Sequence, residues 1–266
     1  MSPNARGRAR DKSRQQTRQQ ERELEDLRNK QVVVVVLAVV VVIAGFVSLS
    51  LVLNKGNKTA SAGQVTTAPK NLVAGCNTPP KIPSERRTGT LPPKATAAGK
   101  MFIATVVTSC GVITMELDGT KAPQTVASFV SLAKSGYWAY SPCHRLTTEG
   151  IFVLQCGDPT GTGSGSPGYG FGVENAPADF TFAPGTLAMA RGSDPNSNGG
   201  QFFIVYKKTM LQDPVGYSIF GKVTAGMDIV DRIAAAGATP PDAASQNTAP
   251  MQPISILTVN VAEKKA

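Results

Sequence analysis

The chain has 266 residues, 41% of them hydrophobic, and a formal net charge of +9, a length that bounds it to one or two domains. The charge is segregated: nine basic and five acidic residues over 1–30, none over 31–53, eight and one over 54–100, and ten and twelve over 101–266. The part able to bury a core is therefore slightly acidic, which argues against nucleic acid as a partner, because such a domain carries its positive charge on itself.

Residues 1–31 are rich in Arg, Gln and Glu and nearly devoid of large apolar side chains, a composition that cannot bury a core. They read as a charged cytoplasmic tail. Residues 32–53, from Val32 to Leu53, form an uncharged run of 22, and a membrane-crossing helix needs about 20. Valine is a mediocre helix former in water, but lipid forces the backbone to satisfy itself. Ala60-Ser61-Ala62 has the form of a signal-peptidase site, which leaves cleavage open. The apolar run is longer than the roughly 7–15 residues of a cleaved signal, and Ala62 lies well past its end, so an uncleaved single-pass anchor is expected. Six Lys and Arg lie within twenty residues before the run and three after it. The positive-inside rule puts the N-terminus in the cytoplasm and the C-terminal domain outside the cell membrane.

Residues 54–100, rich in Thr, Ala, Pro and Lys, read as a flexible linker whose charge suits anionic headgroups. Leu72-Val73-Ala74-Gly75-Cys76 has the form of a lipobox, but polar residues 54–71 precede it where an apolar stretch is required. It is read as a chance match.

From residue 101 the chain changes to short apolar runs divided by Gly, Pro and Ser, the pattern of a β domain over 101–266. Strands are predicted at 102–107, 112–117, 143–146, 152–156, 187–190, 202–205, 219–223 and 254–261. Val126, Phe129, Val130 and Ala133 have helical spacing between Pro123 and Gly136; Met227, Val230, Ile233 and Ala234 repeat it before Gly237. Eight strands and two helices predict a mainly β fold, a closed eight-stranded antiparallel barrel capped by two α-helices and preceded by a single transmembrane helix.

Cys76, Cys110, Cys143 and Cys156 all lie on the predicted outer side. Their even number permits two disulfides in three connectivities, and buried free thiols are the alternative. Their spacing does not match a zinc site. Gly163-Ser164-Gly165-Ser166-Pro167-Gly168 fits a dinucleotide fingerprint in letters only, since no helix pattern follows. Gly216 to Lys222 lacks the Ser or Thr that a P-loop requires. His144, the only histidine, has no nucleophile elbow to serve and is expected to be a hydrogen-bonded structural residue. No cofactor is implied.

Two stretches mix polar and apolar side chains: Cys143-His144-Arg145-Leu146 with Ile151-Phe152-Val153-Leu154-Gln155-Cys156-Gly157-Asp158, and Asn198-Gly199-Gly200-Gln201-Phe202-Phe203-Ile204. With Gly136-Tyr137, Leu187-Ala188-Met189-Ala190 and Ile219-Phe220-Gly221-Lys222-Val223, in this order, the chain from Met101 to Val261 resembles the cyclophilins. The N-terminal segments are similar to those of a membrane-anchored bacterial member. The resemblance implies peptidyl-prolyl cis–trans isomerase activity on proline-containing polypeptides, assisting the folding of exported or envelope proteins. The alternative is a non-catalytic chaperone or scaffold that keeps the pocket. It also implies the site. Arg145 corresponds to the catalytic arginine. Phe152, Val153, Phe203 and Leu211 correspond to the proline pocket, and Gln155, Ala190 and Gln201 to peptide contacts. Arg191 stands where many members have Asn, and Tyr217 where many have His. The tryptophan that the family carries near Leu211 is missing, which implies at most weak cyclosporin binding.

Overall fold

Apolar residues alternate through β1 (Met101–Thr108) and β2 (Gly111–Asp118), so Phe102, Ala104 and Val106 face one side together with Ile113, Met115 and Leu117. Ser109 and Cys110 join the two strands. The Thr108 hydroxyl donates to Gly111 O at 2.7 Å and accepts from Cys110 N at 3.1 Å, which fixes the turn and hence the register. In this computed structural model the described residues are 73–85, 87–242 and 247–265. The expected tail, membrane span and first part of the linker lie outside them. Among the described residues no helix is long and apolar enough to cross a membrane.

The other strands are β3 (Ser141–Pro142), β4 (Arg145–Leu146), β5 (Val153–Cys156), β6 (Thr181–Phe182), β7 (Thr186–Met189), β8 (Phe202–Val205), β9 (Thr209–Met210), β10 (Ile219–Ala225) and β11 (Ser255–Glu263). Nine of the eleven strands make one antiparallel sheet in the order β3-β11-β1-β2-β10-β7-β8-β5-β4, and β6 pairs with β9 alone. The closed eight-stranded barrel is thus corrected to a curled half-barrel. The predicted strand over 143–146 is the reason. Its segment is divided, with Ser141 and Pro142 pairing with β11 while Arg145 and Leu146 pair with β5. Hydrogen bonding changes partner within six residues, and the ladder ends on each side of that change. The Cys143 to Cys156 disulfide ties the interruption to β5.

Helix α1 (Pro123–Lys134) starts on Pro123 and ends where Gly136, at φ 69°, takes the left-handed turn. Gly136 N donates to Ala133 O and Tyr137 N to Leu132 O, the paired bonds of a Schellman motif. Its apolar face sets Phe129 against Trp138, Phe202 and Phe220, with ring centroids 4.5–5.6 Å apart. Helix α2 (Met227–Ala235) buries Ile229, Val230 and Ile233.

Residues 73–100 correct the linker boundary. Val73, Cys76 and Ala97 belong to the main core, Cys76 is disulfide-bonded to Cys110, and Asn77 N donates to Ser109 O at 2.7 Å. Arg87 donates to the carbonyls of Tyr137 and Ala139, and Gly89 N to Pro167 O. This stretch is a strap over the domain. It has little secondary structure, which is why its composition resembles a linker, but its backbone and cysteine are spent on the domain.

Candidate active site

Strand parity sorts the sheet into two faces. Leu154, Cys156, Leu187, Met189, Phe202 and Ile204 enter the main core. Their neighbours turn to the other face, where Val153, Phe182, Ala188, Phe203 and Val205 form a second apolar cluster flanked by Ala190, Leu211, Tyr217 and Ile219. Register then places polar groups beside it. Arg145 lies opposite Gln155, Gln155 opposite Phe203, and Phe203 opposite Ala188. Residues directly opposite in antiparallel strands share a face, so one row runs from the arginine to the apolar cluster.

The polar end of the row is chained. Arg145 Nη1 donates to Gln155 Oε1 at 3.2 Å, and Gln155 Nε2 donates to Gln201 Oε1 at 3.0 Å. Gln201 Nε2 in turn donates to the carbonyls of Gly163 and Gly165, both at 2.9 Å. These bonds fix both amide orientations, because each glutamine must accept at its oxygen and donate at its nitrogen. Partial burial lowers the pKa of Arg145, with Tyr217 acting in the opposite sense; a guanidinium stays protonated in a protein.

The loop that receives Gln201 is built on Asp158, which is fully buried. Its carboxylate accepts from Thr160 N and Oγ1 and from Gly163 N, each at 2.7 Å, and from Gly165 N at 3.0 Å. Burial pushes this carboxyl up, but the Thr160 hydroxyl and the amides of Gly165, Thr160 and Gly163 outweigh it and hold it below the usual carboxylate range. A Cβ at residue 165 would lie 1.8 Å from Asp158 Oδ1, so only glycine fits. The glycines that mimic a dinucleotide fingerprint thus serve to wrap a carboxylate. No motif in the sequence assigns Asp158 a role. The available signal was a lone acid followed by Thr and Gly residues free to turn their amides onto it.

Most predicted site residues come together. Val153, Phe203, Leu211 and Tyr217 share the apolar cluster. Gln155, Ala190, Arg191 and Gln201 line an adjoining cleft of ≈ 680 Å³ with the loop glycines. Phe152 lies to one side. Its ring meets Tyr206 edge-on at 5.9 Å, and Lys207 Nζ sits 4.5 Å from the ring centre. It follows the opposite parity to Val153, which keeps it out of the cluster. The side chain of Arg191 is buried and internally bonded, with its Nε donating to Gly216 O at 3.0 Å, Nη1 to Gly192 O at 2.8 Å and Nη2 to Asp213. His144 departs from expectation: both ring nitrogens are buried without a hydrogen-bond partner. Burial, helped by the Arg145 charge and opposed by the Asp158 carboxylate and the nearby Gln201 amide, lowers its pKa below the ordinary 6.5, favouring the neutral ring.

Fold and site geometry define the class first: an antiparallel half-barrel with the row Arg145–Gln155–Phe203 running into its second apolar cluster. The family model described as "Cyclophilin type peptidyl-prolyl cis-trans isomerase/CLD" matches residues 103–261. The chain belongs to the cyclophilin family. It is 40% identical over 189 residues to "Probable peptidyl-prolyl cis-trans isomerase B" of Mycobacterium tuberculosis, and 38% identical over 186 residues to the protein of the same description in Mycobacterium leprae. These matches cover 63% of this chain and 58% and 61% of those proteins, so the chain spans less than two thirds of their length. A crystal structure of a Cryptosporidium parvum cyclophilin type peptidyl-prolyl cis-trans isomerase is 29% identical, covers 62% of this chain and 99% of that one, and superposes with a TM-score of 0.50.

Proposed function

We propose that the protein is a peptidyl-prolyl cis–trans isomerase acting on X-Pro bonds of polypeptides. The observation that carries this reading is the row Arg145–Gln155–Phe203, which sets an oriented guanidinium beside an apolar cluster. Rotation of a peptide bond costs about 18–20 kcal/mol because twisting breaks amide resonance. The two X-Pro isomers differ little in energy, so only the barrier must fall. In the twisted bond the proline nitrogen regains a lone pair. Arg145 would donate an N–H to it, and would gain much less from the planar amide. That difference is catalysis by preferential binding of the transition state. Val153, Phe203, Leu211 and Tyr217 would hold the ring, while Gln155 and Gln201 hold the arginine and the adjoining peptide. No proton changes hands, which agrees with a neutral, buried His144.

The site assignments, the division into tail (1–31), anchor (32–53), a linker ending before Val73 and a catalytic domain with its strap, and a place outside the cell membrane belong to the same proposal. The 22-residue run from Val32 to Leu53 and the charge bias around it support the anchor. Two disulfides suit an oxidising compartment, where assistance to exported or envelope proteins would be exerted. Cyclosporin binding is proposed to be weak, since the exposed Met210 precedes Leu211 in place of an aromatic ring. The test is exchange spectroscopy on an Ala-Pro peptide with the full chain. Accelerated cis–trans exchange is expected; binding without acceleration would return the protein to the non-catalytic alternative.

A further inference from the structure

Arg191 is an expensive residue to bury. Its side chain is 3% exposed, and a desolvated cation is worth keeping only where its geometry is used. Its guanidinium reaches three acceptors in different directions: Gly216 O, Gly192 O and the Asp213 carboxylate. Its charge centre also lies 5.0 Å from the centre of the Tyr217 ring. Asp213 Oδ1 in turn accepts from Val215 N at 2.9 Å and Gly216 N at 3.0 Å, closing the turn that delivers Tyr217. Tyr217 then meets Phe203 edge-to-face at 5.8 Å, and Phe203 lies opposite Gln155 in the row that begins at Arg145. On its other side Arg191 holds Gly192, which lines the cleft with Asp194, Asn196 and Ser197.

We propose that Arg191 is a positioning residue for substrate affinity: a strut that fixes the Tyr217 wall of the apolar cluster and the Gly192 wall of the neighbouring cleft together. This rests on the isomerase reading of the site. The sequence position suggested a group that touches substrate, but its bonded N–H groups are committed inside the protein. Only a planar fork meets these demands. Lysine offers a point charge that can reach one of the acceptors and cannot stack on the ring. The Asp213 turn and the Arg191 fork act as one unit, so removing either should release the same wall.

The experiment measures kcat, KM and thermal midpoint for Arg191→Ala, Arg191→Lys, Asp213→Ala and the Arg191→Ala, Asp213→Ala double variant of the full chain on a prolyl peptide. Arg191→Ala is expected to raise KM about tenfold with kcat within about twofold. Arg191→Lys should fail to restore KM, and the double variant should add no further rise. An unchanged KM in Arg191→Ala, full rescue by lysine, or additive effects would each overturn the strut. Should Arg191→Ala fail to fold, Asp213→Ala breaks the unit from its less buried end and the same KM rise is required of it. Peptide Kd separates the two ideas. A wild-type chain that binds without catalysing defeats the isomerase reading, while the strut then stands or falls on whether the variants raise Kd about tenfold.

Discussion

Asp158 holds four close hydrogen bonds with no exposure to water, and the loop it organises supplies both acceptors of Gln201. Asp158→Asn keeps the shape but turns an amide donor toward backbone N–H groups. Bonds to a buried charge are worth about 1.5–3 kcal/mol each, so a loss of about 3 kcal/mol is expected in denaturant unfolding. The pH dependence has a definite sign. A carboxyl whose pKa is lowered by folding contributes stability above its ordinary 3.8 and loses it as pH falls through the folded value. His144, lowered from 6.5 by burial, also costs stability as pH drops below 6.5, because the unfolded chain takes up the proton first. Acid titration of stability should therefore steepen in two stages; Asp158→Asn should shrink the lower stage, which Glu116 and Asp213 share, and deepen the upper one by removing a charge that favours protonated His144. Arg145, Gln155 and Phe203 were legible in the sequence as a motif. The role of Asp158 was not, because three of its four close donors are backbone amides, which carry no residue identity, and only Thr160 adds a hydroxyl.

At the scale of elements, the hairpin of β4 and β5 carries Arg145 and Gln155 on only two paired positions. Two further ties brace it: the Cys143 to Cys156 disulfide, and Leu146 N donating to Thr248 O at 2.8 Å. Closing a loop of this length by a disulfide is worth about 3 kcal/mol. Replacing both Cys143 and Cys156 by Ser should lower stability by about that amount and reduce activity more than a comparably destabilising change in α2. Calorimetry beside the isomerisation assay would show this; loss of stability with full activity would make the bridge a staple alone. The long alternating strands β1, β2 and β11 and both helices were legible because periodicity and end signals agree there. The ribbon of β6 and β9 was not, since two-residue strands carry no period. The divided strand over 143–146 was not legible either, because a change of pairing partner leaves no mark in local hydropathy.

Across the whole molecule, the strap over residues 73–100 extends the domain beyond the composition change at residue 101. Its disulfide joins residues 34 apart in sequence, a closure worth about 4 kcal/mol, and Val73 N adds a bond to Gln252 Oε1 at 3.1 Å. A chain beginning at Met101 should unfold at lower denaturant than one beginning at Val73, by at least that margin; equal midpoints would show that the strap is passive. Arg145 is proposed to act on the twisted bond and not on the bound peptide. The direct measurement compares wild type and Arg145→Ala for kcat/KM on an Ala-Pro peptide and for peptide Kd. A fall of about 100-fold in kcat/KM is expected, the cost of losing one donor aimed at a transition state, with Kd changed by less than about threefold. Unchanged kcat/KM, or a Kd that weakens by the full factor, would contradict it.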